Sequence, residues 1–280
     1  MTVATAPDIA ELTTERVTDD VQAWWLGQAG FALRHRGRVV LVDPYLSDSL
    51  ARKYAGTLFP HERLHPVPVD PARLRRVAAV LHTHAHTDHL DPDTVAAVQI
   101  ANAPVFVAPR ARRDIALDRH VPADRLVALD AGETVSLDGV VVTALPAAHE
   151  ELTRDETGHH FLGYVVEIGG VRIYHSGDCV PYPGQVELLA DLDVDVALLP
   201  VNGRDAHRLT NGVPGNFTVD EAVDLCRRAR VPALVCHHFG LFDFNTVDPA
   251  WLVERLGVIA GDLGWTVPTV GAGFRLEARR

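Results

Sequence analysis

A dense histidine cluster constrains this chain more than any other feature of its sequence. Within eight residues the cluster places four histidines and one aspartate: His82, His84, His86, Asp88 and His89. The apolar run 77–81 precedes it and predicts a buried strand, whereas Asp91 and Pro92 behind it are typical of a helix start. The cluster is therefore predicted to lie in a loop between a strand and a helix.

The spacing inside the cluster suits metal coordination. Alternate side chains of an extended segment point to the same side, so His84 and His86 can reach one cation. Asp88 and His89 diverge enough to serve a second cation. Imidazole and carboxylate ligands suit Zn, Mn or Fe, and the lack of a cysteine ligand speaks against a purely structural zinc site. The alternative is a set of solvated loop histidines, but the spacing favours the metal hypothesis.

Three further predicted strand ends carry a histidine or an aspartate. They are His149 after the run 140–145, Asp178 after 171–175 and His238 after 232–236. A carboxylate such as Asp178 is able to bridge two cations, which neutral imidazoles do poorly. Each of the three alone would be interpreted as a structural polar residue. Beside the histidine cluster, a ligand role becomes the better hypothesis for all of them.

Composition places the chain among folded proteins and limits its partners. Its 280 residues are 47% hydrophobic and 22% charged, enough for a large core, and one domain spanning 1–280 is expected. A net charge of -11 without a basic run disfavours long nucleic acids. The sequence contains no recognisable apolar leader and no apolar stretch of bilayer length, which predicts a cytoplasmic protein without a membrane partner. The expected partner is a small-molecule substrate, and a homo-oligomer stays open.

The hydrophobic runs predict two groups of strands separated by helices. Strands are expected at 21–26, 31–35, 38–42, 77–81, 104–108, near 126 and 135, and at 140–145, 161–168, 171–175, 194–201 and 232–236. Helices are expected after Asp91, near 110–119, from Thr218 to about Arg230, and from Asp248 to near Gly264. Two sheets faced by helices, an α+β arrangement, fit this order better than a doubly wound parallel sheet.

These motifs together resemble one known superfamily. The string HTHAHTDH at 82–89, followed in order by His149, SGD at 176–178 and His238, is similar to the metallo-β-lactamase-fold hydrolases. The likeness covers nearly the whole chain, from WLGQAG at 25–30 onwards. It implies a four-layer αββα sandwich of two mixed β-sheets flanked by helices, with two divalent ions, Zn or Mn, at one edge between the sheets.

The resemblance also implies a ligand for each position. His84, His86 and His149 would hold one metal, Asp88, His89 and His238 the other, and Asp178 would bridge them. Asp43 matches a buried aspartate beneath the site. Paired cations lower the pKa of a shared water and so supply hydroxide as the nucleophile. Asp88 is further expected to orient that hydroxide and to help pass a proton to the leaving oxygen.

A narrower resemblance comes from three later segments. PVNGRD at 200–205, GNFT at 215–218 and HFGLF at 238–242 look like the L-ascorbate-6-phosphate lactonase-like branch. This likeness makes Asn202 and Arg204 candidates for orienting an oxyanion or an anionic substrate group. The alternative is that Asn202 belongs to a turn and Arg204 is a surface charge.

The predicted function is hydrolysis by a dimetal-activated hydroxide. Its substrate is expected to be a lactone or ester of a small carbohydrate-like molecule, phosphorylated or unphosphorylated. One alternative is a phosphodiesterase acting on a nucleotide or a phospholipid, since the same centre serves both reactions. Another is a metal-binding module without turnover. The physiological substrate and the native metal stay open at this level.

Overall fold

Two seven-stranded β-sheets form the centre of the computed structural model, which describes residues 7–279. In chain order the first eight strands are β1 (Val21–Gly27), β2 (Gly30–His35), β3 (Arg38–Val42), β4 (Val77–Leu81), β5 (Val105–Pro109), β6 (Leu126–Leu129), β7 (Thr134–Leu137) and β8 (Val140–Pro146). The others are β9 (Arg154–Asp155), β10 (Gly158–His159), β11 (Leu162–Ile168), β12 (Val171–His175), β13 (Val196–Pro200), β14 (Ala233–His237), β15 (Gly264–Thr266) and β16 (Gly273–Leu276). The helices are α1 (Ser49–Lys53), α2 (Pro92–Asn102), α3 (Arg113–Asp118), α4 (Gln185–Asp191), α5 (Ala206–Thr210), α6 (Val219–Arg228) and α7 (Pro249–Ile259).

Both large sheets are mixed and share one pattern of strand directions. The first has the order β16-β1-β2-β3-β4-β5-β6 and the second the order β15-β14-β13-β12-β11-β8-β7. In the first sheet three antiparallel pairings precede three parallel ones. The second sheet repeats this pattern, starting from the pairing of β7 with β8. β11 and β12 form a hairpin that turns at Gly169 and Gly170, both at positive φ.

The first sheet buries both of its faces. In β3, Val40 and Val42 belong to the core between the two sheets, whereas Leu41 points to the opposite face. There Leu41 shares a cluster with Val95 and Val98 of α2. Because both faces are covered, the strands of this sheet are nearly continuous apolar runs rather than alternating ones.

Helices cover the second sheet in the same way. Ala222 and Cys226 of α6, with Leu252 and Leu256 of α7, are buried in the cluster that includes β13 and β14. α6 begins at a capping box, in which the Thr218 side chain accepts a hydrogen bond from the backbone amide of Glu221, the third helical residue. Helix, sheet, sheet and helix therefore stack as four layers, which confirms the predicted αββα sandwich.

Two predicted helices differ in extent from those observed. The final helix was expected to reach Gly264, but α7 ends at Ile259, and 264–266 form β15 beside β14. Pairing with β14 satisfies the backbone N–H and C=O groups of residues 264–266. Helix propensity does not predict such a long-range pairing. The basic stretch 110–119 divides into a short 3-10 turn, Arg110–Arg112, followed by α3.

The carboxyl ends of several strands meet at one edge of the sandwich. β3 runs parallel to β4 and β12 runs parallel to β13 and β14, so these strands end at the same side of their sheets. β8 is antiparallel to β11, which is antiparallel to β12, and therefore also ends there. The residues that follow these ends are Asp43, the cluster at 82–89, His149, Asp178 and His238. This edge is the place where the predicted site residues gather.

The helices of the described chain are short. The two longest, α2 and α7, have 11 residues each. Within residues 7–279 there is thus no helix with the length and apolar character needed to cross a bilayer.

Candidate metal centre

The structure brings the seven predicted ligands together. Their donor atoms form the two expected groups, His84 with His86 and His149, and Asp88 with His89 and His238. A third group joins His84 and His89 to Asp178. Within each group all donor atoms lie within 4.8 Å of one another. Ions with bonds of about 2.0–2.2 Å to nitrogen and oxygen fit between donors at such separations, so the clusters are able to bind metal.

Asp178 lies between the two groups. Its Oδ1 atom is 3.2 Å from Nε2 of His89 and 3.1 Å from Nε2 of His238. The preceding Gly177 has φ +61°, and a Cβ atom there would lie 2.7 Å from Cβ of Thr83. Glycine therefore allows the end of β12 to approach the histidine loop closely enough for Asp178 to reach both groups.

Asp43 is hydrogen-bonded to the histidine loop beneath the metal ligands, as the family resemblance implies. The carboxylate is fully buried, and Nδ1 of His89 donates to its Oδ2 atom at 2.7 Å. The backbone amide of Thr83 donates to Oδ1 at 2.8 Å, and the Thr83 hydroxyl donates to Oδ2 at 2.5 Å. With the proton held on Nδ1, Nε2 of His89 is directed towards the cluster as an acceptor.

Arg119 holds the histidine loop in shape. Its Nη1 atom donates to the carbonyl oxygens of Ala85 at 2.6 Å and Leu90 at 2.9 Å. These two carbonyls flank the ligands at 86–89. His82 takes no part in the donor groups, because its ring is buried and stacks against Phe106.

Three non-glycine residues of the site adopt left-handed backbone conformations. Gln28 has φ +51°, Asp43 +45° and His238 +64°. Such conformations cost on the order of 1–2 kcal/mol per residue and persist where the surroundings fix them. Each of these residues adjoins the end of a strand, so the backbone is bent where the side chains must converge.

The donors fit a pair of divalent ions on their own chemistry. Among the described residues, Nε2 of His84 and of His89, both ring nitrogens of His149, and Oδ1 of Asp178 are buried without a well-formed hydrogen bond. Buried polar atoms almost always have partners, and leaving one unpaired costs about 1–3 kcal/mol. Several such atoms aimed at one region are explained most simply by bound cations.

Burial and neighbouring charges set the protonation states of the donors. Burial lowers the pKa of His84 well below its usual value, and the nearby His89 lowers it further. Burial likewise lowers the pKa of His149 to about 4. Burial acts in the opposite direction on Asp178, yet His238 and His89 bring the pKa of its carboxyl well below the usual range. Neutral imidazole and ionised carboxylate are the forms that bind metal.

Gln28 is a site residue that the sequence prediction missed. Its Nε2 atom donates to Oδ2 of Asp88 at 2.9 Å and lies 3.1 Å from Nε2 of His238. The backbone carbonyl oxygen of Gln28 accepts from the backbone amide of His238 at 2.8 Å and from Nε1 of Trp25 at 2.9 Å. Gln28 belongs to the WLGQAG segment at 25–30. Its position in that motif is the sequence feature that could have identified it as a site residue.

Asn202 and Arg204 lie apart from the cluster. Arg204 donates to both carboxylate oxygens of Glu221, at 2.7 and 2.6 Å, and to the carbonyl of Asn216 at 2.9 Å. The buried Asn202 donates to Asn245 at 2.7 Å and accepts from Asn216 at 3.0 Å. Neither Asn202 nor Arg204 is in the lining of the cavity at the metal cluster. Their expected role in orienting an oxyanion stays a prediction that this geometry does not support.

A cavity of about 620 Å³ opens onto the cluster. Five predicted ligands form part of its lining: His86, Asp88, His149, Asp178 and His238. Aromatic residues from two distant segments line another part of it: Tyr54, Phe59, His61, Phe242 and Phe244. The volume suits a small molecule rather than a polymer.

The four-layer sandwich has clustered histidines and aspartates at one sheet edge, and matching relatives are named metal-dependent hydrolases, so the chain is a metal-dependent hydrolase. The chain belongs to the β-lactamase superfamily domain family, whose model matches residues 38–239. This match confirms the predicted resemblance to the metallo-β-lactamase-fold hydrolases.

Curated relatives carry names of the same class. A UPF0173 metal-dependent hydrolase of Methanoculleus marisnigri is 31% identical over 225 residues, 78% of this chain and 80% of that protein. One from Sulfurisphaera tokodaii is 26% identical over 84% of this chain and 91% of its own. The protein named "Probable L-ascorbate-6-phosphate lactonase UlaG" in Escherichia coli is 30% identical over 60% of this chain and 56% of its own length.

Solved structures share the fold at low sequence identity. The isothiocyanate hydrolase from Delia radicum gut bacteria has a TM-score of 0.74 at 19% identity, covering 92% of this chain and 100% of that one. Igni18, a metallo hydrolase from Ignicoccus hospitalis, has a TM-score of 0.66 at 19% identity, covering 92% of this chain and 99% of the other. At such identities the likeness is one of fold alone.

Proposed function

We propose that this hydrolase opens a lactone or cleaves an ester of a small molecule, within one domain spanning 1–280. The carrying observation is the convergence of seven acid and histidine side chains at a cavity of small-molecule size. The name of the Escherichia coli relative supports a lactone as the reacting group. No serine or cysteine nucleophile is needed in this proposal.

The ligand assignment follows the two donor groups. His84, His86 and His149 would hold one ion, and Asp88, His89 and His238 would hold a second, with Asp178 as the shared ligand. Zn and Mn both accept such a donor set. When bound, the ions supply Lewis acidity and make water nucleophilic near neutral pH.

Asp88 is the carboxylate proposed to orient the attacking water. Its side chain is 18% exposed and lines the cavity, whereas that of Asp178 is only 7% exposed. Burial raises the pKa of the Asp88 carboxyl, but His89, His238 and His86 together outweigh this and lower it, so the group is ionised at neutral pH. The Gln28 amide at Oδ2 fixes the orientation of this carboxylate. Asp88 therefore presents an acceptor to water entering from the cavity.

The test compares hydrolysis of a lactone, a carboxylic ester and a phosphate diester by the same protein preparation. Purified protein is stripped of metal, reloaded with Zn or Mn, and assayed on dihydrocoumarin, p-nitrophenyl acetate and bis(p-nitrophenyl) phosphate. We expect turnover of the lactone and the ester, loss of turnover with a chelator, and loss of turnover in Asp178→Ala. The exposed residue Asp243 provides the matched control, Asp243→Ala.

Two outcomes would overturn the proposal. Preferential cleavage of the phosphate diester would identify a phosphodiesterase instead. Full activity after chelation, or in Asp178→Ala, would reject the metal assignment itself.

A further inference from the structure

An aromatic wall stands in the same cavity as the metal cluster. We use this name for Tyr54, Phe59, His61, Phe242 and Phe244. His61 stacks on Tyr54 with ring centroids 4.3 Å apart and meets Phe244 edge-on at 4.7 Å. Phe59 lies 4.6 Å from Phe244. The rings form one continuous apolar surface from two segments that are nearly 190 residues apart in sequence.

The wall has a buried support, so it has a fixed shape. Phe242 is 2% exposed and packs in a small core with Tyr45, Leu50 and Leu241. The backbone amide of Leu64 donates to the carbonyl of Leu241 at 2.9 Å and joins the two segments. An aromatic surface held in this way is preorganised for binding and loses little conformational entropy when a ligand arrives.

The cavity lining contains few cationic side chains that could bind a phosphate group. The lining includes two cationic side chains, Lys53 and Arg119. Arg119 directs Nη1 to the carbonyls of the histidine loop, and Nζ of Lys53 lies over the ring of Tyr54 at 4.9 Å from its centroid. By contrast, Leu58 in the same lining is 75% exposed and extends the apolar surface outwards. Large exposed apolar patches beside a polar centre mark ligand-binding grooves.

We propose that the aromatic wall is a subsite for an alkyl or aryl group of the substrate, next to the bond that is cleaved. The cognate lactone or ester then carries an apolar substituent instead of the hydroxylated or phosphorylated one expected from the sequence. The kinetic test of this inference rests on the proposed function, because it needs lactone turnover. A binding test examines the subsite without turnover.

The kinetic test uses lactones that share one six-membered ring and differ only in substituent. The metal-loaded enzyme is assayed with δ-valerolactone, with δ-decalactone, which adds a pentyl chain, and with D-glucono-δ-lactone, which adds hydroxyl groups. Each buried methylene is worth about fourfold in binding. We expect kcat/KM to be at least about tenfold higher for δ-decalactone than for δ-valerolactone, and lowest for the sugar lactone.

Variants of one wall residue test whether the preference for δ-decalactone comes from the aromatic wall. Phe244 is only half-buried, so Phe244→Ala should fold normally. We expect Phe244→Ala to raise KM for δ-decalactone by about tenfold or more. Its kcat for δ-decalactone, and both kcat and KM for δ-valerolactone, should change little. Phe244→Leu should reverse most of the increase in KM. Trp251, 46% exposed on α7 and outside the cavity lining, gives the control Trp251→Ala.

Binding of an inert ligand separates this inference from the proposed function. The dissociation constant of 3-phenylpropan-1-ol is measured by ligand-observed NMR on the metal-loaded protein, with glycerol as the polar comparison. Binding that weakens in Phe244→Ala supports the subsite even if no lactone is turned over. Equal kinetics for all three lactones, or no binding of the phenyl alcohol, would overturn it. So would a Phe244→Ala variant that changes only the subunit number in sedimentation, because the wall would then be a contact between copies.

Discussion

Oδ2 of Asp43 lies 2.7 Å from Nδ1 of His89, and both side chains are fully buried. The contact fixes the proton on Nδ1 and leaves Nε2 of the same ring facing the cluster. A residue that never touches the metal in this arrangement therefore decides which nitrogen can bind it.

Asp43→Asn tests this relationship. The asparagine amide can take two orientations. In one its NH₂ group faces the backbone N–H of Thr83, and in the other it faces the Nδ1–H of His89, so one donor always faces another donor. The His89 proton then moves to Nε2 in part of the population, and we expect metal affinity to fall by about 10–100-fold. A competition titration with a chelating indicator measures this. Asp138→Asn, at a carboxylate that is 79% exposed, should bind as the wild type does, and equal affinity in both variants would refute the account.

Arg119→Met should loosen the histidine loop. The change leaves the carbonyls of Ala85 and Leu90 without their charged donor, at a cost of about 1–3 kcal/mol in the free energy of unfolding. Urea unfolding of metal-free protein measures the loss without the contribution of bound ions. The control is Arg113→Met, an exposed arginine at the start of α3, the helix that ends just before Arg119. If both variants unfold at the same urea concentration, Arg119 does not support the loop.

Glu221→Gln gives a pH-dependent effect on stability. Burial opposes ionisation, but hydrogen bonds from Arg204 and from the amide of Thr218 lower the pKa of Glu221 below its ordinary 4.5. A lowered pKa in the folded state means that the ionised group stabilises the protein above pH 4.5, and that this contribution disappears as the pH falls through the folded pKa. Because the pair is partly exposed, we expect the variant to lose about 0.5–1 kcal/mol at pH 7.

Urea unfolding at pH 7 and at pH 4 measures the Glu221→Gln effect, with the exposed Glu254→Gln as control. The gap between wild type and variant should narrow at the lower pH. A gap that stays constant or widens on acidification would show that the Glu221 charge is not the cause.

The three cysteines should be unreactive in the folded protein. Cys179, Cys226 and Cys236 are fully buried, and burial raises the pKa of Cys226 to about 12. The thiolate is the reactive form, so very little of it is present at pH 8. Titration with a disulfide reagent should find no fast thiol in the native state and three in guanidinium. Rapid labelling of the native protein would contradict the burial.

The two groups of strands and the candidate ligands at strand ends could be predicted because they depend on local patterns, whereas the division of the ligands between two ions came from the family resemblance. Apolar runs identify the strands, and Asp91 with Pro92 marks the start of α2. The positions of His149, Asp178 and His238 follow from strand ends, which meet at one edge in parallel sheets.

The aromatic wall could not be predicted from the sequence, because Phe59 and Phe244 become neighbours only in the folded chain. The position of Arg204 was also out of reach. An arginine after a strand suits an oxyanion as well as a carboxylate, and only the folded chain brings Glu221, 17 residues later, against it. The carbohydrate-like substrate was expected from the family resemblance, whereas Tyr54, Phe59, His61 and Phe244 of the aromatic wall lie outside the motifs that carry it.

Metal content is the most direct test of the central claim. Protein purified and reloaded with Zn or Mn, then dialysed, is analysed by elemental mass spectrometry. The account predicts two ions per chain in the wild type, about one in His86→Ala, and two in His120→Ala, a surface histidine. Less than one ion in the wild type, or two retained in His86→Ala, would contradict it.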